Sequence, residues 1–235
     1  MPVGLDMHLL AIETATRRLS VALWQDGELM ERAEELPNGG SERLLPWVHE
    51  LLAEAGLALT RIDGIAFGAG PGGFTGLRLA CGVAQGLAYG LDLPVVPVST
   101  LEALALASGE RDVWACLDAR MNEVYGAAYR VDGDRVTQLM APVCVPPAAA
   151  PVPTFSGGCG VGDGFAAYGA LLQARKPDLK SVRADAFPTA SAVLRLAAAR
   201  FARGDAVGAA LAQPIYVRDK VALTTAERIA RGGAK

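Results

Sequence analysis

Apolar positions recur along this chain in two periods, and the points where the period changes mark its elements. HLLAIET at 8–14 and LSVALW at 19–24 are apolar runs of strand length. Asp26-Gly27 stands between the second run and ELMERAEEL, a strong short-range hairpin signal, so three strands are expected first. After Asn38, Gly39, Gly40 and Ser41 the period becomes helical. Leu44, Leu45, Val48, Leu51, Leu52 and Ala55 share a face, with Ser41 placed to N-cap the helix and Gly56 to end it. There follow a strand at about 62–67, a glycine-rich turn, a helix at about 75–90, the strand PVVPV at 94–98 and a Ser99-capped helix through about Ala107.

A second cycle then begins. VWACLDA at 113–119 and EVYGAAYRV at 123–131 read as strands, and Asp132-Gly133 turns the chain into RVTQLM at 135–140. Residues 141–153, rich in Pro and Ala, read as a connecting segment, and helical stretches are expected at about 164–175 and 189–203. Two successive units that open with antiparallel strands and continue with helices predict an α/β protein of two related lobes, each a mixed sheet with helices. The boundary is placed between residues 1–108 and 109–235. The arrangement resembles the duplicated ribonuclease-H-like architecture of actin, Hsp70 and sugar kinases, in which a nucleotide lies between the lobes.

The stretch IAFGAGPGGFTGLRLACGVAQGLAYG at 65–90 holds two separate glycine patterns. Gly82, Gly86 and Gly90 recur every fourth residue along one helix face, where each costs about 1 kcal/mol relative to Ala. Close approach of another helix, in a groove flanked by Leu79, Val83 and Leu87, would offset that cost; packing against the chain's own sheet is the alternative. Gly70, Gly72, Gly73, Thr75 and Gly76 instead form a candidate nucleotide or phosphate loop at a helix entrance, where backbone N–H groups can hold an anion, or a plain turn. A Walker loop would need Lys after its last glycine, and here Leu77 and Arg78 follow.

Composition narrows the functional classes. With 51% hydrophobic and 20% charged residues the chain is globular in character. A net charge of -3 and a pI near 5.5 do not suit a protein that grips nucleic acid by its own electrostatics, so an RNA substrate would require a partner. Cys81, Cys116, Cys144 and Cys159 lie at wide spacings with no CxxC, which predicts buried reduced thiols rather than a zinc site or disulfide framework. The N-terminus lacks a basic segment and a long apolar run, and Arg78, Gln85, Asp92 and Pro94 interrupt the apolar region at 77–108. A cytoplasmic protein with no membrane contact is expected.

Candidate chemistry is sparse. Glu13 in Glu13-Thr14-Ala15-Thr16 stands where actin-like kinases carry a magnesium-organising acid, but without the glycine that normally follows. Asp118 in LDAR is a candidate partner carboxylate or a turn residue. SGGCGVGDG at 156–164 is either a second nucleotide-closing loop or a plain turn. His8 and His49 are the only histidines and do not sit at metal-ligand spacing, and no G-x-S-x-G elbow occurs. Cys81 within an apolar helix is expected to be a buried thiol rather than a nucleophile. Arg218, Lys220, Arg228, Arg231 and Lys235 belong to a C-terminal segment expected to be a solvated tail.

The segments AIETAT, SVALW, ERLLPWVHELL, GIAFGAGPGGFTGLRLACGVAQGLA, PVVPVSTLEALA, LDARMNEVY and PIYVRDKVA together resemble the TsaB family from about residue 8 to 222, least clearly over 141–187. The resemblance implies a non-catalytic subunit that supports a catalytic paralogue, TsaD, in transferring threonylcarbamoyl to adenosine of tRNAs reading codons that begin with A. It implies a partner interface on the first two helices, here Leu44, Trp47, Val48, Leu51, Leu79, Gly82, Val83, Gly86 and Gly90. It also implies a homodimer when free, docking of a TsaE-like ATPase on the assembled pair, tRNA contact only through the complex, and no metal or cofactor bound by this chain alone, ATP and a metal being used by the partner subunits. Gly40 stands where relatives often carry His, which removes any side-chain role there. The alternative is an ATP-dependent phosphotransferase of the actin-like class using Glu13, Asp118 and the Gly70 to Gly76 loop.

Overall fold

In the computed structural model, which describes residues 7–36 and 40–218, alternation along the strands divides each of two sheets between two cores. The first sheet takes β1 (Leu9–Glu13), β2 (Arg18–Gln25), β3 (Glu28–Glu35), β4 (Gly64–Gly70) and β5 (Pro94–Ser99), and the chain returns to add β11 (Val207–Gly208). Its order is β11-β5-β4-β1-β2-β3, with β1 parallel to β4 and antiparallel to β2. The second sheet takes β6 (Asp112–Arg120), β7 (Glu123–Asp132), β8 (Arg135–Val145), β9 (Cys159–Val161) and β10 (Ser181–Arg183), in the order β10-β9-β6-β7-β8.

The helices fill the layers that this alternation demands. Leu10, Ile12, Val21, Leu23 and Phe67 point to α1 (Ser41–Glu54) and α2 (Phe74–Leu91) on the outer face. Leu9, Ala11, Ala22, Trp24 and Ala66 point the other way, to α5 (Ala190–Arg203). Beside α5 lies α3 (Thr100–Ser108), whose Leu101, Leu104 and Ala105 pack on Val113, Ala115 and Leu117 of the second sheet. On the far face of that sheet Trp114 meets Phe165 of α4 (Asp163–Arg175) edge to face at 5.7 Å. The result is helix, sheet, helix, sheet, helix.

The two mixed sheets match the expected fold class, and the Asp26-Gly27 hairpin forms as expected, with Gln25 paired to Glu28. Four details differ from the expected reading. The loop of the second hairpin is Gly133-Asp134, because Asp132 pairs with Arg135. β8 runs on to Val145 through the segment expected to be a connection, since β7 is long enough to pair with it as far as Val124. α5 and β11 return to the first sheet, so residues after 108 do not belong to the second sheet alone. Periodicity reveals a helix's apolar face but not which sheet will receive it.

The fourth difference is the cap of α1. Gly40, not Ser41, is its N-cap, in a left-handed conformation at φ 97° and with no side-chain cap bond. A Cβ there would strike Leu19, so position 40 needs glycine for both conformation and room. Gly56 ends the helix with φ 62° as expected.

The burial pattern of α1 gives a direct test of its orientation. Leu51→Ala should cost about 2–5 kcal/mol in urea unfolding, as for a filled core position, whereas Leu45→Ala, at 47% exposure, should stay within about 0.5 kcal/mol of the parent. Equal costs at the two sites would mean that the helix is rotated from the position described.

Candidate functional site

Two surfaces result from this architecture: the outer face of α2, and a cleft between the sheets. On its inner face α2 buries Leu77, Ala80, Cys81, Ala84 and Ala88, mostly small residues that let it lie close on β4. Gly82, Gly86 and Gly90 are exposed on the opposite face, and a Cβ built on any of them meets nothing within 4 Å. Packing within the chain therefore does not explain them. Their helix-propensity cost, roughly 2–3 kcal/mol in sum, is unoffset in the isolated chain. Leu79, Val83 and Leu87 lie half-buried at the edge of the first core, and Tyr89 stands 80% exposed beside the glycines.

The expected α1 contribution to a partner surface needs correction. Leu44, Trp47, Val48 and Leu51 are buried in the chain's own core against the first sheet, because they form the apolar stripe that holds α1 on β2 and β3. The exposed side of α1 carries Leu45 and His49 instead. Leu45, expected on the same face as Leu44 and Val48, is instead 47% exposed at the edge of that face; Tyr89 gave no signal beyond its place next to Gly90.

The Gly70 to Gly76 loop lies directly on the turn that joins β1 to β2. Thr14 Oγ1 donates to the Gly76 carbonyl at 2.7 Å, and the Gly73 N–H donates to the Ala15 carbonyl at 2.7 Å. A Cβ on Gly76 would run into the Thr14 carbonyl, and one on Gly72 would stand 2.6 Å from the Ala15 oxygen. Close backbone approach is thus what these glycines permit. The Ala15 N–H is also engaged, donating to Glu13 Oε1 at 2.6 Å. Of the loop's backbone donors the Gly70 and Gly73 N–H groups are used internally, while α2 begins at Phe74 with no side-chain cap. Thr75 at its end lines the cleft.

Glu13 is fully buried and faces away from the cleft. Besides Ala15 it accepts from Thr100 Oγ1 at 3.3 Å, and that hydroxyl accepts from the Gly70 N–H at 3.1 Å. Burial pushes its carboxyl up from 4.5 to about 7, against the opposing pull of the Ala15, Thr100 and Thr14 hydrogen bonds. It ties three segments together and is not placed as a magnesium ligand.

The cleft, about 930 Å³, is lined from the first lobe by Thr16, Arg17, Phe74 and Thr75 and from the second by Asp118, Arg120 and Asp163. Asp118 is here as expected, but its carboxylate is committed. It accepts from the Arg120 N–H at 2.8 Å and guanidinium at 2.9 Å, and from the Tyr168 hydroxyl at 3.4 Å. Its own N–H donates to Asp163 at 2.9 Å. Burial, and secondarily the charge of Asp118, push Asp163 upward. In the second glycine stretch Gly160 makes room for Phe165, while Gly162 and Gly164 press on Cys116, so packing accounts for them as well.

Among the described residues no group of three or more His, Cys, Asp or Glu is arranged to hold a metal ion. All four cysteines are free, three of them buried and Cys144 half-buried. Burial raises the Cys81 thiol, against a nucleophilic role. His8 Nδ1 meets the Arg61 carbonyl at 3.0 Å, far in function from any metal set. No helix of the described residues is long and apolar enough to cross a membrane. Arg218 is not a solvated tail residue but enters the cleft; Lys220, Arg228, Arg231 and Lys235 lie outside the described residues.

Paired mixed sheets around shared helices, with a cleft between them, define an actin-like α/β protein whose glycine loop is packed on the turn after β1. The family model described as TsaD: tRNA N6-adenosine threonylcarbamoyltransferase matches residues 38–225. The tRNA threonylcarbamoyladenosine biosynthesis protein TsaB of Escherichia coli strain K12 is 38% identical over 227 residues, covering 92% of this chain and 96% of that protein. The protein of the same name from Haemophilus influenzae is 37% identical, covering 92% and 95%. A crystal structure of a Pseudomonas aeruginosa protein described as similar to the peptidase YeaZ superposes with TM-score 0.84 at 40% identity, covering 90% of this chain and all of that one. The chain belongs to the TsaB family.

The charge state of Glu13 yields a signed prediction. Between 4.5 and about 7 the folded chain holds a proton there that the unfolded chain has lost, so the contribution of the neutral form is complete below 4.5 and disappears as pH rises through 7. At about 1.4 kcal/mol for each pKa unit, the ionised form costs roughly 3 kcal/mol at pH 8. Glu13→Gln, neutral at every pH, should therefore melt above the parent at pH 8, with the gap closing below pH 5. A gap of the same size at both pH values would contradict the assignment.

Proposed function

We propose that this chain is a non-catalytic subunit that binds a TsaD-like catalytic paralogue and supports its transfer of threonylcarbamoyl to adenosine of tRNAs reading codons that begin with A. The observation that carries this is the open glycine face of α2. Three helix-weakening residues stand in register on an exposed surface with nothing in the chain packed on them. A helix from a partner seated in that groove would approach at backbone distance and offset their cost by dispersion contacts. Tyr89, Leu45 and His49 supply the exposed side chains around it. In the free chain the same face serves a homodimer, and the TsaE-like ATPase docks on the assembled pair.

The cleft supports the non-catalytic assignment. Glu13 is buried on Ala15 and Thr100, the Gly73 N–H is spent on the Ala15 carbonyl, and Asp118 is bonded to Arg120 and Tyr168. An ATP-dependent phosphotransferase would need all three groups to face a nucleotide. ATP and metal chemistry accordingly belong to the partner subunits, and tRNA meets this chain only through the complex, consistent with its net charge of -3.

Reconstitution tests the proposal. With the catalytic paralogue, its companion enzymes and tRNA, nucleoside mass spectrometry should find threonylcarbamoyladenosine only when this chain is added; equal product without it would overturn the supporting role. Gly86→Leu should eliminate co-elution with the paralogue while the variant melts no lower than the parent, since a side chain at 86 meets open space. Co-elution at parental strength would remove the groove from the account. At concentrations where the chain is monomeric, Gly82→Ala, Gly86→Ala and Gly90→Ala should each raise stability by about 0.5–1 kcal/mol in urea melts; loss of stability in the monomer would mean that the glycines are needed internally after all.

A further inference from the structure

The backbone passes between the sheets at residues 109–111 and 184–189, and it crosses a third time near the end of the described chain. This third crossing is extended and bonded along its length. It starts on α2, where Gln85 Nε2 donates to the Ala209 carbonyl at 3.3 Å and to the Ala212 carbonyl at 2.9 Å. The Ile215 N–H then donates to the Ala69 carbonyl at the end of β4, at 2.7 Å. Tyr216 lies 6.4 Å from the Phe74 ring and accepts from Arg78 Nε at 3.5 Å. Val217 packs against the core of the second sheet. Arg218 closes the series: its Nη2 donates to the Ala119 carbonyl at 2.9 Å and to Glu123 at 2.6 Å.

Ile215, Tyr216, Val217 and Arg218 all line the cleft. We propose that residues 212–218 form a strap that lines one wall of the cleft and holds the two sheets together across it, with Arg218 on Glu123 and Ala119 as the catch. Chemistry at the catch favours a two-position device over passive packing. The Arg218 side chain is 15% exposed and Glu123 32%. Without Glu123 the enclosed guanidinium loses its carboxylate and keeps the Ala119 carbonyl, and without Arg218 the Glu123 carboxylate keeps only the weak Cys144 thiol donor, so either loss weakens the catch. The strap is therefore docked while the pair is intact and leaves when it is broken.

Hydrogen exchange and a distance measurement on the full chain test this. In the parent protein the Ile215 amide should exchange slowly; in Arg218→Ala it should exchange at least tenfold faster, while the amides of β1 and α5 keep their protection. Nitroxide labels carried by noncanonical residues at positions 75 and 167, on opposite walls of the cleft, should give one narrow distance in the parent and a longer, broader distribution in the variant. Glu123→Gln, which keeps the shape of the partner and removes its charge, should shift both readouts in the same direction and decides the matter if Arg218→Ala loses the protection of β1. Unchanged Ile215 exchange in Glu123→Gln would overturn the catch. A freed Ile215 amide with an unaltered distance between the walls would overturn the tether between the sheets.

Discussion

A carboxyl buried at the end of the central strand governs the cleft side of this molecule. Glu13 receives the Ala15 amide and the Thr100 hydroxyl, and through Thr100 it reaches the amide of Gly70. One group thus fixes the turn after β1, the end of β4 and the start of α3. With these three held, the glycine loop has to lie on the turn, and only glycine at 72 and 76 leaves room for the Ala15 and Thr14 carbonyls. The amides of Ala15, Gly70 and Gly73 are then taken up by the protein itself, and the loop is a joint to the turn after β1.

That joint sets where α2 begins and how it lies. Its small inner residues bring it down on β4, which turns Gly82, Gly86 and Gly90 outward. The two glycine patterns in one stretch therefore have opposite physical origins. The loop glycines are required by atoms already present in the chain, whereas no atom of the described residues requires the helix glycines. The first pattern builds the fold, and the second is the face on which the proposed partner subunit would sit.

Much of this was legible in the residues. The apolar runs and the Asp-Gly turns located the hairpins, and helical spacing located all five helices to within a residue or two. What remained illegible depended on distant neighbours. Gly40 caps α1 because Leu19 leaves no room for a side chain, which no local rule could reveal. Leu44, Trp47, Val48 and Leu51 form an apolar stripe, but a stripe looks the same whether its own sheet or another subunit covers it. Glu13 looks like a metal-organising acid until Thr100, 87 residues away, is seen to hold it. The strap was likewise hidden, because QPIYVR has no period and its partners Ala69 and Glu123 lie far away in sequence.

Side-chain footprinting of the assembled complex tests the central claim most directly. Tyr89 is 80% exposed in the single chain and adjoins the glycine face, so hydroxyl radicals should oxidise it readily where the chain is dilute enough to be monomeric. In a saturated complex with the TsaD-like paralogue its oxidation should fall severalfold, while Tyr216 at the cleft mouth keeps its rate. If Tyr89 stays as reactive as in the free chain and protection appears at Phe74 and Tyr216 instead, the partner sits on the cleft, and the assignment of the α2 face is wrong.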